Sequence, residues 1–327
     1  MIATIQNNLM SNFHTPSWLS NPHIQTVYPH LFRKVAAPLL FRERFETSDG
    51  DFFDVDMRIK EKSPIVVLLH GLEGSSMSTY IQGAAELFLQ KGWGIAAINL
   101  RSCSGEINRR AQFYHSGWFE DLDRLVVSLR RHLVPIFGLG FSLGGNLMLK
   151  YSGSKTRSSF DAVMAVSAPI DLSSSTHSMR LWPARLYEKR FLRMLQRKMR
   201  KKTDTLLKEG IPVHKAQLAK TIREFDRYLT AHSYGFNDEE EYYQQASALP
   251  VLNRIRIPAH LLQSKDDPML SSLCYPHQNS LPKNITCLYT QRGGHVGFVY
   301  GSRKERKYFA QEEAERFFDR CLELMNT

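Results

Sequence analysis

The chain has 327 residues, 43% hydrophobic and 23% charged, enough apolar material for one large α/β domain carrying an insertion. No apolar run is long enough for a transmembrane helix. The first fourteen residues lack the pattern of a secretory signal, and four scattered cysteines without a CxxC pair argue against a disulfide framework or zinc site and suit a reducing cytoplasm. The net charge of +11 is local, because Arg180–Thr230 holds 15 Lys and Arg against 5 Asp and Glu, a surplus of 10, and the remainder is close to neutral.

Residues 1–40 read as an arm rich in aromatic residues, proline and histidine. "RERFET" (42–47) and "DFFDVDMRI" (51–59) predict a hairpin about Ser48-Asp49-Gly50. "SPIVVLLH" (63–70) and "GIAAINL" (94–100) are continuous apolar runs, as in strands buried on both faces, with a helix between them from about Ser78 to Gln90. A helix over Trp118–His132 carries Leu122, Leu125, Val126 and Leu129 on one face. Then come a strand "VPIFGLG" (134–140), a helix starting at "GGNLMLKYSG" and a strand "DAVMAVSAP" (161–169). Beyond the basic segment, "IPAHLLQS" (257–264) and "NITCLYT" (284–290) are strands, and a helix over 306–325 ends the chain. This alternation predicts an α/β fold: a mostly parallel central sheet flanked by helices, with an antiparallel edge. The expected parts are the arm 1–40, a core of 41–170 and 247–327, and a basic helical lid insertion over 171–246, lying over one edge of the sheet. Chemistry is expected at the carboxyl ends of the strands.

Gly140-Phe141-Ser142-Leu143-Gly144 fits G-x-S-x-G between a buried strand and a helix, where a sharp turn exposes a nucleophilic serine. A serine hydroxyl needs a base. His295, in "QRGGHVGF" (291–298), follows the last strand of the sheet, and Gly293 and Gly294 leave its ring room to turn inward. The orienting acid is expected in "KDDPML" (265–270), which offers Asp266 and Asp267; Asp267 is favoured, leaving Asp266 to cap the turn or face solvent. Backbone amides of Leu143 and of Leu72, in "HGLEGSS" (70–76), are the expected oxyanion donors. Leu72, Phe141 and Leu143 are expected to line an acyl pocket, with Phe141 touching substrate. No cofactor or metal is expected.

The stretches "NPHIQTVYP" (21–29), "HGLEGSS", "RSCSGEINRR" (101–110), "YHSGWFEDL" (114–122), "GFSLGGN" (140–146), "DDP" (266–268) and "GGHVGF" (293–298) span almost the whole chain. In these the chain resembles the α/β-hydrolases, in particular the YheT-like branch or AB-hydrolase-4 family, which includes lipid-active eukaryotic members. The resemblance implies a triad of Ser142, Asp267 and His295. It also implies esterase or acyl-transfer chemistry on medium-chain acyl esters or phospholipids. Two positions depart from the pattern: Ser102 stands where glycine is expected, and Ser271 where proline often follows the acid loop.

His23, His70, His115 and Cys103 read as structural rather than as ligands or nucleophiles. In the insertion, Tyr187, Phe191, Met194, Leu195 and Met199 form one helical stripe with basic residues opposite. That pattern suits a lid packed on the body, or one that also rests on anionic lipid, giving a cytoplasmic enzyme in peripheral contact with membrane. Nucleic-acid binding is not expected, because no recognition motif accompanies the charge. The expectation is a serine hydrolase that cleaves carboxylic esters, small or lipid, through an acyl-enzyme. The alternatives are an acyltransferase using an alcohol acceptor and a noncatalytic lipid-binding module on the same scaffold.

Overall fold

Continuous apolar runs form the inner strands of one eight-stranded sheet, built from β1 (Phe41–Glu46), β2 (Phe52–Arg58), β3 (Ile65–Leu69), β4 (Gly94–Asn99), β5 (Ile136–Phe141), β6 (Ala162–Val166), β7 (Ala259–Ser264) and β8 (Ile285–Thr290). The structure, a computed structural model, describes residues 13–154 and 160–325, so the first part of the expected arm lies outside the described residues. The strand order is β1-β2-β4-β3-β5-β6-β7-β8, with β2 antiparallel to both its neighbours and the other pairs parallel. The exposed edge strand β1 is charged. Arg42 and Arg44 each reach a carboxylate directly opposite on β2, Asp56 and Asp54, at 2.8 Å, which blunts the edge against further pairing.

Successive side chains of β3 part to opposite faces, as the period of two requires. Ile65, Val67 and Leu69 join the core under α3 (Glu120–Leu129) and α4 (Leu143–Ser154), whereas Val66 and Leu68 join the core under α2 (Thr79–Gln90) and the C-terminal helix Phe309–Met325. Three acidic residues in the first turn of α3, Glu120, Asp121 and Asp123, suit the positive end of its dipole. The helix expected to run to His132 ends at Leu129. A 3₁₀ turn takes over Arg130–His132, and Leu133 then adopts φ +54°. The last helix starts later than expected, because Arg306–Tyr308 pairs with Val299–Gly301 as a two-stranded antiparallel ribbon. The arm holds a helix, α1 (Pro22–Phe32), capped by the Asn21 side chain on the amides of His23 and Ile24.

Between β6 and β7 the chain forms α5 (Leu172–Ser178), α6 (Arg185–Arg200), α7 (Thr203–Lys208), α8 (Val213–Leu218) and α9 (Ile222–Phe225), a π-helical stretch Asp226–Ala231, α10 (His232–Tyr234) and α11 (Glu239–Ala246). These helices have their own core, in which Leu192, Met199, Leu206, Ile211 and Phe225 pack with Ala111 and Phe113. The insertion does not lie over an edge of the sheet as expected. Strands β6 and β7 are neighbours inside it, so the helices rise over the carboxyl ends, above Ser142. The basic residues of α6 are not all opposite its apolar stripe either. Lys198 and Lys202 continue the inner face between insertion and body, where Lys202 is buried and Lys198 partly so.

Candidate active site

Ser142 sits in the turn between β5 and α4 with φ +52°, a left-handed conformation that side chains seldom adopt. Its amide donates to Val166 O at 2.8 Å, which ties the turn to β6. The turn needs glycine at position 144, where a Cβ would fall within 2.5 Å of the backbone oxygens of Leu69, at the end of β3, and of His70 just after it.

His295 reaches Ser142 through Nε2, 2.8 Å from the serine Oγ. Its Nδ1 lies 2.8 and 3.1 Å from the two carboxylate oxygens of Asp267. The Asp267 side chain is fully buried and also accepts the Met269 amide at 2.9 Å, which fixes its plane. Asp266 faces away from the imidazole ring, accepting the Gly294 amide at 2.9 Å and the Ser264 hydroxyl. The two residues of the doublet thus have separate partners.

Two amides border the space beside Ser142, those of Leu72 and Leu143. Neither donates to a protein acceptor among the described residues. A partly open, mostly apolar cavity of about 100 Å³ starts at Ser142, Leu72, Leu143 and His295 and runs under the insertion, past Phe191, Leu195, Ile222 and Met179. Its far wall holds Asp226, whose carboxylate accepts from Thr230 Oγ1 and Tyr243 OH, each at 2.7 Å. Burial raises the Asp226 pKa to about 6. A second, more open space of about 230 Å³ meets the first at Ser142, Leu72, Phe191, Met269 and His295, and leads out between α1 and α6.

Phe141 corrects one expectation. Its ring lies in the core on the other face of the sheet, 4.9 Å from the ring of Tyr80, and lines neither space. As the last residue of β5 it follows the strand alternation and points away from the site, while the turn re-aims only Ser142. Leu72 and Leu143 do line the apolar cavity.

His70 is buried, with Nδ1 2.7 Å from Gly71 O and Nε2 accepting the Leu100 amide at 3.1 Å; burial lowers its pKa to about 4. His115 is held in a cage of Trp118, Tyr234, Phe236 and Tyr242, and burial lowers its pKa to about 3. His23 stacks on Tyr187. The Cys103 thiol is pushed up to about 11 by burial, the direction of an inert thiol. Ser102, where glycine was expected, has φ +65° and bonds Asn108 through its hydroxyl. Ser271 bonds Ser174 through its hydroxyl at 2.5 Å.

Sequence reasoning missed the residues that seat His295. Thr26 Oγ1 accepts the His295 amide at 2.9 Å, and Ser167 Oγ accepts the Val296 amide at 3.0 Å. Gln25 bonds the backbone of Val299 twice, at 2.9 and 3.0 Å, so α1 clasps the histidine loop. Both residues lie in "NPHIQT", but nothing local in that stretch points to the distant histidine loop. Next to Leu72, Glu73 has φ +56°, accepts from Tyr114 OH at 2.9 Å and pairs with the partly buried Lys198 of α6 at 2.6 Å.

The sequence profile of the alpha/beta hydrolase fold matches residues 64–302. YheT of Escherichia coli (strain K12), named as a candidate esterase, is 36% identical over 294 residues, covering 86% of each chain. The human phospholipase ABHD3 is 28% identical over 303 residues, 88% of this chain and 73% of that one. A monoacylglycerol lipase of Saccharomyces cerevisiae is 29% identical over 269 residues; the match takes in 79% of this chain but only 60% of the lipase. Among solved structures, the Pyrococcus furiosus esterase Pf2001 shares the fold at a TM-score of 0.56 and 16% identity, over 86% of this chain and 91% of that one. The profile match and the likeness to YheT over most of both chains place the protein in the α/β-hydrolase family, as a carboxylic ester hydrolase of its YheT-like branch.

Proposed function

We propose that the protein is a serine esterase acting on short- to medium-chain acyl esters, lipids among them, through an acyl-enzyme. The observation that carries this reading is the unbroken line of hydrogen bonds from Ser142 through His295 to Asp267, opening on an apolar cavity. In this mechanism His295 Nε2 takes the Ser142 proton as Oγ attacks the ester carbonyl. Asp267 keeps the other ring proton on Nδ1 and stabilises the imidazolium that forms. The amides of Leu72 and Leu143 donate to the oxyanion, a role in which each donor contributes on the order of 10²–10³ in rate. His295 returns the proton to the departing alcohol, and water repeats the sequence to release the acid. The esterase, monoacylglycerol lipase and phospholipase names of the relatives fit this chemistry. Residues 171–246 act as the cover of the acyl cavity, and their exposed cations, beside the uncovered Leu181 and Trp182, suit a reversible contact with anionic lipid.

Labelling with a fluorophosphonate followed by peptide mass spectrometry tests the reading. Covalent adduct on Ser142, lost in Ser142→Ala together with ester turnover, is the expected result. An unlabelled Ser142 in folded protein, or turnover that survives Ser142→Ala, refutes it.

A further inference from the structure

The more open of the two spaces beside Ser142 has a chemistry that ester cleavage alone does not require. Two arginines line it, Arg33 at the end of α1 and Arg190 on α6. Among the described residues neither has a carboxylate within 4.0 Å. Arg33 is half-buried and Arg190 exposed, whereas the buried Arg101 is surrounded by Asp49, Asp51 and Asp121 at 2.8–3.2 Å. Arg33 instead lies 3.6 Å over the ring of Tyr308 and donates to Gln311 Oε1 at 2.8 Å. It fits there because Gly83 on α2 has no side chain; a Cβ at that position would overlap the guanidinium. Burial lowers the Arg33 pKa to about 10. Arg190 Nη2 lies 2.8 Å from His30 Nε2, a contact that engages one of its five N–H donors. The one carboxylate in the wall, Glu73, is taken by Lys198.

We propose that this mouth is an oxyanion subsite in which Arg33 and Arg190 hold a phosphate group carried on the alcohol portion of the ester. The inference rests on the esterase reading for its orientation: the apolar cavity takes the acyl chain, and the cationic opening takes what is left. A planar fork fixed on an aromatic face presents its remaining N–H donors in one direction, which suits a phosphate better than a flexible ammonium would. Arg33 feels the charge of Glu86 without pairing with it, and among the described residues neither guanidinium is in an ion pair, so both are open to an arriving anion. The phosphate belongs either to a small soluble ester or to a lipid headgroup.

Binding is measured first, with glycerol 3-phosphate titrated calorimetrically into Ser142→Ala protein. Arg33→Gln and Arg190→Gln in that background are each expected to weaken binding roughly tenfold to a hundredfold, the size of a lost charge-assisted contact. No binding, or binding indifferent to both substitutions, overturns the proposal. Turnover is then compared for butyryl-glycerol 3-phosphate and uncharged butyrylglycerol, and for a micellar acyl-glycerophosphate and the matching monoacylglycerol. The ratio of kcat/KM, charged over uncharged, is expected to fall at least about tenfold in each variant. A fall with the soluble pair assigns a small substrate, and a fall with the micellar pair alone assigns a headgroup. Unchanged ratios in both pairs overturn the subsite. Should the wild type cleave none of the esters, the esterase reading fails, while the titration still decides whether the oxyanion binds.

Discussion

Replacing Asp267 by Asn removes one charge and almost no volume. The carboxylate accepts from His295 Nδ1 at 2.8 and 3.1 Å and from the Met269 amide at 2.9 Å. In the variant the Met269 amide holds the remaining carbonyl oxygen, and the new NH₂ group faces His295. It donates to Nδ1, which drives the ring proton onto Nε2, 2.8 Å from Ser142 Oγ. The base then points a proton at the hydroxyl it should deprotonate. Productive turnover requires the other tautomer, and the imidazolium loses its buried counter-charge. This exchange costs about 10⁴ in kcat in a Ser–His–Asp site, roughly 5.5 kcal/mol of barrier. Asp266→Asn is the control, because its remaining oxygen still accepts the Gly294 amide; turnover within about tenfold of wild type is expected. Initial rates on p-nitrophenyl butyrate near neutral pH, with melting curves to establish folding, decide the matter. Folded Asp267→Asn retaining a tenth or more of the activity, or a fall in Asp266→Asn as deep, refutes the assignment of the acid.

A cavity of about 100 Å³ holds roughly three waters' share of liquid volume, hence a short acyl chain. The kcat/KM is expected to rise about fourfold per methylene, at about 0.8 kcal/mol each, from acetyl to about hexanoyl esters and then fall; a steady decline from acetyl contradicts it. Asp226 gives a pH dependence of known sign. Its pKa is raised from 3.8 to about 6 by burial, so the folded chain keeps a proton that the unfolded chain loses, and stability falls as pH rises between those values. Relative to wild type, Asp226→Asn is expected to gain on the order of 3 kcal/mol between pH 4 and pH 7; a melting-temperature difference that stays constant over that range speaks against a raised pKa. For the lipid contact, Arg193, Arg197 and Lys201 are the exposed cations to reverse, while Lys198, paired with Glu73, is left intact. Arg193→Glu with Arg197→Glu and Lys201→Glu is expected to weaken co-sedimentation with anionic vesicles at least about tenfold, as is added salt, and equal binding to neutral vesicles refutes an electrostatic contact.

Motifs at strand ends were legible because local chemistry dictates them: the glycines around Ser142 permit one kind of turn, and His295 must follow β8. The doublet at 266–267 was only half legible: consecutive side chains diverge, so one of the two can face His295, but which one follows from the hydrogen bonds of the folded loop. Phe141 was misplaced because its neighbour Ser142 was allowed to decide its direction, whereas the strand's alternation governs it. Composition located the basic segment but not which lysines face inward. Lys198 and Lys202 fall three and seven positions after Leu195 and so continue the stripe that Phe191 and Leu195 begin. Gln25 and Thr26 could not be found by local pattern at all, because their partners lie 274 and 269 residues away.

That separation has a consequence for synthesis. At about 5–20 residues per second, α1 leaves the ribosome roughly 15–50 s before the histidine loop it clasps. Meanwhile β3, β4, β5 and β6 can pair among themselves, and the Ser142 turn closes once Val166 supplies its acceptor. The Gln25 amide remains solvated through this interval and finds Val299 only when the last strand ribbon has emerged. A nascent chain therefore carries a finished nucleophile turn with no imidazole beside it. Truncation before β8 removes His295 and is expected to leave no esterase activity.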